Sequence, residues 1–282
     1  MSVSIIIPAY NEEVRLPITL AATADYFAGR GEPFEILVID DGSKDGTSAV
    51  VDAYRKKHPE YDVRCLNYGG NRGKGYAVRF GMLKGTGEMR LFCDADLATP
   101  VEEYEVVLKA MTQSKAAVGI GSRPLRESHL LVHQPWYREM LGRGFNKAVQ
   151  SLAVDGIEDT QCGFKIFTAA AAKDVFSRCK IDGFAFDCEA LYIARHLGYP
   201  IAEVPIRWSH KDGSKVNMVR DGAKMVKDLM FIRWLHRNLP PPPVPPPDSE
   251  TSPQPSPWKG EGAEETAVAE TKTPEISEHP KE

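Results

Sequence analysis

A chain of 282 residues, 42% of them hydrophobic and with a formal charge of −4, has the material for one large globular domain, and no nucleic-acid partner is expected of it. Its five cysteines, Cys65, Cys93, Cys162, Cys179 and Cys188, are odd in number and widely scattered, which excludes a disulfide scaffold and a close-set zinc site and suits free thiols in a reducing compartment. The opening "MSVSIIIPAYNEE" turns polar within ten residues, and no apolar run reaches the roughly 18 residues of a spanning helix. Neither a secretory leader nor a membrane span is therefore expected, and the chain is expected in the cytoplasm.

Apolar, β-branched runs at 3–8, 35–40, 63–67, 88–96 and 116–122 predict strands, and amphipathic stretches near 12–28, 45–58, 74–84 and 101–113 predict helices between them. Near-continuous apolar strands alternating with helices imply a parallel sheet covered on both faces, an α/β fold of the doubly wound kind. Ligands of such sheets collect at the carboxyl ends of the strands. That is where the unusual residues stand: "PAYNEE" after the first strand, "DDGSKDGT" after the second and "DADLATP" after the fourth.

Asp94 and Asp96 are two residues apart. If the strand continues through them, both carboxylates face one side and can share a cation; the other reading is a strand end followed by a polar turn. Asp40, Asp41 and Gly42 likewise suit either a ligand site or a turn with a helix cap. "NRGKGYA" at 71–77 follows the third strand and opens a helix, so its glycines and Lys74 could approach a phosphate at a helix N-terminus. The Walker spacing and GxGxxG are both missing, which argues against a P-loop ATPase or a dinucleotide oxidoreductase.

In order along the chain, "SIIIPAYNEEVRLP", "LVIDDGSKDGT", "NRGKGYAVRFGM", "CDADLATP", "GSR", "DTQCGFKIF" and "FDCEALYIARHLGYPIAEVPIRW" followed by "GSKVN" resemble the family 2 glycosyltransferases of the GT-A fold. They resemble in particular the branch of dolichyl-phosphate β-glucosyltransferases and other enzymes that glycosylate polyprenyl phosphates. The likeness covers roughly residues 3–238.

The resemblance implies a nucleotide-sugar donor, UDP-glucose, lying across the strand ends near Pro8, Tyr10, Glu12, Asp40, Asp41, Gly73, Lys74, Asp94 and Ala95. It implies Mg²⁺ or Mn²⁺ held by Asp94 and Asp96, where a hard cation would stabilise charge developing on the departing diphosphate. A set of carboxylates without histidine or cysteine suits these ions better than zinc. The acceptor implied is a polyprenyl monophosphate, already anionic at neutral pH, which needs orientation and charge neutralisation more than a strong base. Basic residues for it would be Arg123, Arg138, Arg143 and Lys215. Asp159 and Gln161 match further active-site positions, Asp159 as an orienting group or weak base. Asp187 and Glu189 read either as neighbours of the donor sugar or as caps of the helix they begin. A single in-line displacement would invert the anomeric carbon.

Residues 217–237, "NMVRDGAKMVKDLMFIRWLHR", predict an amphipathic helix. On a wheel Arg220, Asp221, Lys224, Lys227 and Asp228 share one side, and Met218, Val219, Met225, Val226, Leu229 and Met230 the other. Phe231, Ile232, Trp234 and Leu235 then spread apolar groups around most of the helix among Arg233, His236 and Arg237, the composition of a helix lying in lipid headgroups. Its two readings are a terminal helix packed on the domain for 217–230 and a membrane surface or partner for 231–237, with peripheral attachment at the cytoplasmic face. Residues 239–282 carry nine acidic and three basic side chains, a local −6 that leaves +2 for the rest, and their Pro, Glu, Ser and Thr content predicts a disordered, solubilising tail. The expected division is thus a catalytic domain at 1–216, the helix at 217–238 and the tail at 239–282. Rival readings are GDP-mannose as donor, a soluble glycan as acceptor, and a catalytically silent nucleotide-sugar binder.

Overall fold

The computed structural model describes residues 1–125, 130–132, 156–209 and 218–241. Arg138, Arg143, Lys215 and residues 242–282 lie outside them. The first strand, β1 (Val3–Ala9), is buried along nearly its whole length because it sits inside the sheet with helices on both faces. It pairs in parallel with β2 (Phe34–Asp40) and β4 (Met89–Cys93), and β2 pairs in parallel with β3 (Asp62–Asn67). Beyond β4 the sheet continues through β7 (Phe164–Thr168) to β5 (Val118–Ser122) and β8 (Ile201–Pro205), giving the order β3-β2-β1-β4-β7-β5-β8. Among the described strands of this sheet only β7 runs antiparallel to its neighbours. A separate two-stranded pair joins β6 (Leu130–Val132) to β9 (Trp208–Ser209).

Successive side chains of β1 point to opposite faces and enter two cores. Ile5 and Ile7 pack with Leu20 and Phe27 of α1 (Leu16–Arg30), Val51 of α2 (Thr47–Lys57) and Tyr104 of α4 (Glu103–Ser114). Ile6 packs with Val78 and Met82 of α3 (Lys74–Lys84), Phe176 of α5 (Ala169–Phe176) and Leu191 of α6 (Phe186–His196). This is the expected doubly wound α/β sandwich. All five cysteines are free thiols, four of them buried.

The last helix, α7 (Met218–Leu235), joins the second core through Met225, Leu229 and Ile232. Burying Leu229 and Ile232 completely contributes about 1.5–3 kcal/mol for each, enough to make this a firmly seated helix. Its sidedness differs from the expected wheel. Met230 parts from Met225 and Leu229 and stands 67% exposed, while Ile232, placed among the surface residues, is buried. The reason is that both sides of this stretch carry apolar residues, so the wheel alone cannot say which side docks. Among the described residues no helix is long and apolar enough to cross a membrane.

Candidate active site

The register aligns Ala9 with Asp40 and Asp40 with Asn67, so the loops after β1, β2 and β3 leave the sheet at one level. Pro8 and Tyr10 lie half-buried at the end of β1. The loops after β1 and β2 are bound to each other. Asn11 takes a left-handed φ of 54°, its N–H donates to Ser43 Oγ (2.9 Å), and its side-chain oxygen accepts from the Lys44 N–H (2.7 Å). Glu12 accepts two hydrogen bonds from the Arg15 guanidinium, both 2.7 Å, and Asp40 accepts from the Ser43 N–H at 2.8 Å.

Asp41 organises the next loop. Its Oδ1 accepts from the Arg72 N–H (2.6 Å) and the Tyr68 hydroxyl (2.7 Å), and its Oδ2 from the Gly73 N–H (2.9 Å). A buried carboxylate with three donors fixes backbone more than it awaits a ligand. Gly73, at φ 106°, is required by the chain itself, since a Cβ there would stand 2.5 Å from the Asp182 carbonyl oxygen. The loop delivers Lys74 to the first position of α3, with Nζ 2.5 Å from Asp94 Oδ1.

β4 ends at Cys93, so Asp94, Ala95 and Asp96 lie in the turn beyond it. The strand alternation that would put the two carboxylates on one face does not apply; what couples them is proximity. Burial, and then the charge of Asp94, push the Asp96 carboxyl above the ordinary carboxylate range against the Ala98 N–H, Lys74 and Arg15, which pull it down. Asp96 Oδ1 accepts from that N–H at 3.0 Å, and Arg15 Nη1 lies 4.0 Å from Oδ2. Lys74 stays protonated more firmly than a free lysine: burial opposes its charge, but Asp94 and Asp187 outweigh it.

The antiparallel β7 brings a second set of charges to this place. Gly163, just before it, accepts the Asp94 N–H through its carbonyl at 3.2 Å. Lys165, almost wholly buried, donates to Asp187 Oδ1 (2.5 Å) and to the Cys162 carbonyl (2.6 Å). Burial raises the Asp187 carboxyl, with Lys165 and Lys74 opposing. Carboxylate and ammonium groups thus alternate from Asp94 through Lys74 and Asp187 to Lys165. Nearby, Arg123 grips the buried Asp159 through Nε–Oδ2 (2.6 Å) and Nη2–Oδ1 (2.8 Å). Burial alone would raise Asp159, but this fork holds its carboxyl below the usual range and raises Arg123 in turn.

A cation fits the Asp94–Asp96 turn. The donors are hard oxygens, and Asp96 ionises at a cost that a neighbouring positive charge would relieve. Among the described residues no cluster of three or more His, Cys, Asp and Glu side chains could hold a metal. One or two carboxylates completed by substrate phosphates and water is the usual manner of Mg²⁺.

Residues 4–176 match the family model described as Glycosyl transferase family 2. The chain belongs to glycosyl transferase family 2. Among relatives of this family 2 glycosyl transferase, the protein of Dictyostelium discoideum named dolichyl-phosphate beta-glucosyltransferase is 40% identical over 240 residues, covering 82% of this chain and 73% of the relative. The protein of that name from Homo sapiens is 39% identical over 240 residues, covering 82% and 74%. Among solved structures, mannosyl-3-phosphoglycerate synthase of Rubrobacter xylanophilus superposes with a TM-score of 0.60 at 16% identity, over 84% of this chain and 75% of that one. Glucosyl-3-phosphoglycerate synthase of Mycobacterium tuberculosis, solved with Mn²⁺, UDP and glucosyl-3-phosphoglycerate, gives 0.60 at 16%, over 85% and 81%. These neighbours share the GT-A-like fold, and the family makes the chain a glycosyltransferase.

In this family 2 glycosyl transferase, Lys74, Asp94 and Asp96 meet as a group, and Arg123 meets Asp159. The Gln161 N–H donates to Asp159 Oδ1 at 3.2 Å, while its side-chain nitrogen lies 4.0 Å from Met225 Sδ of α7. Glu189 is bound differently from Asp187: its carboxylate accepts the backbone N–H groups of Lys180 and Ile181. Sequence reasoning missed Lys165 and Arg15. A lysine inside the apolar run "GFKIF" was the available signal for the first, because a buried lysine needs a partner.

Gly163 offers a direct test. A Cβ there would fall 2.0 Å from Asp94 Oδ2. Gly163→Ala is expected to push that carboxylate off Lys74, at an overpacking cost of about 1–3 kcal/mol, and a misplacement of about 1 Å lowers turnover as much as about 100-fold. Denaturant unfolding and glycosyl transfer measured together check this. Wild-type values of both would mean that Asp94 has room to move.

Proposed function

We propose that the chain transfers glucose from UDP-glucose to a polyprenyl phosphate at the cytoplasmic face of a membrane, with inversion and with Mg²⁺ or Mn²⁺. The observation that carries this reading is the 40% identity, over 82% of the chain, to the relative named dolichyl-phosphate beta-glucosyltransferase. The neighbours solved with UDP and with Mn²⁺ or Mg²⁺ support the donor and metal classes.

In this reading Asp94 and Asp96 hold the ion, which when bound stabilises negative charge on the leaving diphosphate. The loop from Tyr68 to Gly73, fixed by Asp41, presents Lys74 and the start of α3 to the donor phosphates. Pro8, Tyr10, Glu12, Asp40 and Ala95 line the donor side. Arg123 uses two of its five N–H groups on Asp159 and keeps three for the acceptor phosphate. A carboxylate held below its usual pKa range is a poor base, so Asp159 orients Arg123 and the acceptor anion attacks without losing a proton. Arg138, Arg143 and Lys215 are assigned to that phosphate, and Gln161 to the wall between it and α7.

The outer side of α7 supplies the membrane contact. Met230, Phe231 and Trp234 are exposed, Arg237 lies 5.1 Å over the Trp234 ring, and Lys227 lies 5.9 Å over Phe231. Aromatic groups flanked by cations suit an anionic headgroup layer. Phe231→Ser with Trp234→Ser is expected to weaken binding to vesicles of anionic phospholipid by about tenfold or more, each side chain giving up about 1.5–3 kcal/mol of burial, while Leu229 and Ile232 keep the helix seated. Co-sedimentation checks this, and unchanged binding would place the lipid contact elsewhere. Residues 239–282 are assigned to a solubilising tail.

The test of the reaction mixes the protein, Mg²⁺ or Mn²⁺ and polyprenyl phosphate with labelled UDP-glucose or GDP-mannose, and counts label that moves into organic solvent. Label from UDP-glucose alone is expected. Label from GDP-mannose would change the donor, and label in neither would turn the search to soluble acceptors.

A further inference from the structure

Glu189 is fully buried in the first turn of α6, and two backbone N–H groups and a histidine converge on its oxygens. The Lys180 N–H lies 2.9 and 3.0 Å from Oε1 and Oε2, the Ile181 N–H lies 2.9 Å from Oε2, and His236 Nε2 lies 2.6 Å from Oε1. An ionised carboxylate only accepts, so His236, the residue just after α7, donates here. The segment that Glu189 holds runs straight into Asp182.

Asp182 is a cap for α3. Among the described residues no side chain caps the N-terminus of that helix, and its first N–H groups lack acceptors within the helix. The Asp182 carbonyl accepts from the N–H groups of Gly75 (2.9 Å) and Tyr76 (3.3 Å), and the Asp182 carboxylate accepts from Arg79 Nη2 (2.8 Å). The fit leaves no slack, because a Cβ at Gly75 would stand 2.6 Å from the Ile181 carbonyl oxygen. Lys74, one residue before Gly75, is the side chain that reaches Asp94. An unbroken run of short contacts therefore leads from the end of α7 to the candidate metal turn.

We propose that Glu189 and His236 are a positioning pair that couples the seating of α7 to the placement of Lys74 beside Asp94. The functional weight of Lys74 rests on the reading given above, whereas the coupling itself does not. Glu189 touches no reacting atom. It fixes residues 180–182, these cap α3, and α3 carries the lysine. Because α7 also carries the exposed aromatic side chains, a change in how this helix sits would be felt at the donor phosphates.

Hydrogen exchange of the full chain, needing no substrate, tests the coupling apart from the reaction. In His236→Ala, amides in 74–80 and 180–183 are expected to exchange about tenfold faster or more, with β1 and β2 within about twofold of wild type. His236→Gln, whose amide can still donate to Glu189, is expected to return most of that protection. Unchanged exchange at 74–80, a uniform rise across the sheet, or no recovery with Gln would each overturn the coupling. In the transfer assay the same Ala variant is expected to raise KM for the nucleotide sugar about tenfold with kcat within about twofold, the pattern of lost ground-state binding. A fall in kcat at constant KM would count against a positioning role.

Discussion

Asp96→Asn is expected to lower glycosyl transfer by about 10²–10³-fold, the usual loss on removing one group that stabilises developing charge, without weakening the fold at neutral pH. The two halves have one cause. In the protein alone Asp96 ionises against burial and against Asp94, so its carboxyl lies above the ordinary range. A carboxyl raised on folding gives stability that is complete below its unfolded pKa and lost as pH rises through its folded one. At neutral pH the wild-type chain has therefore lost that contribution and carries the cost of the charge, which Asn never has. The variant should melt no lower than wild type at neutral pH, and its advantage should vanish as pH falls through the Asp96 value toward the unfolded carboxylate value of about 3.9. With UDP and Mn²⁺ present the order should reverse, because ligand that binds only the folded wild type raises its stability. Thermal melts with and without Mn²⁺ and UDP, beside the lipid-phase assay, read all of this. Undiminished turnover in Asp96→Asn would remove the carboxylate from the proposed metal site.

Lys165→Met should cost about 3–5 kcal/mol of unfolding free energy, because it leaves the buried Asp187 without the lysine that hydrogen-bonds it. Asp187 itself is 4% exposed and Lys165 is 1% exposed, so water cannot take over the interaction. The double change Lys165→Met with Asp187→Leu should regain most of that loss, since apolar side chains of similar size often replace a buried ion pair with little penalty. Transfer should not return with stability, because Lys74 would then lack one of the two carboxylates that hold it. Urea unfolding of the three chains measures the first two effects and the lipid-phase assay the third. A single-variant loss below about 1 kcal/mol would mean that Asp187 finds another partner.

Much of this architecture can be read in the sequence. The runs at 3–8, 35–40, 63–67 and 116–122 appear within about two residues as β1, β2, β3 and β5, because buried parallel strands write themselves as local apolar runs. The fourth run stops earlier, at Cys93, and with it goes the strand argument for Asp94 and Asp96. Polar residues at a strand end do not say where pairing stops. β7 was not placed, since its position between β4 and β5 depends on partners 71–79 and 45–49 residues away and on no local pattern. For the same reason the Arg123–Asp159 fork and the Lys74–Asp94 pair lay hidden, although all four residues were already candidates for the site. What a residue is can be read from a line of letters; which of two opposite charges it meets is a property of the closed chain. The α7 seat is a further case, decided by the shape of the core it enters.

The reversed direction of β7 has a consequence for how the molecule comes into being. Until residues 164–168 are available, β4 presents an unpaired edge and β5 has no neighbour in the sheet. The first four strands can assemble alone as β3-β2-β1-β4, but the rest waits for a strand that must slide between two others already translated. Pairings over such sequence distances form slowly, and an open strand edge invites association with other chains in the meantime. Because Gly163 and Lys165 travel with that strand, the growing polypeptide acquires the full set of charges around Asp94 only when the ribosome has passed Asp187, so a nascent chain carries its donor-side loops well before it has a working centre.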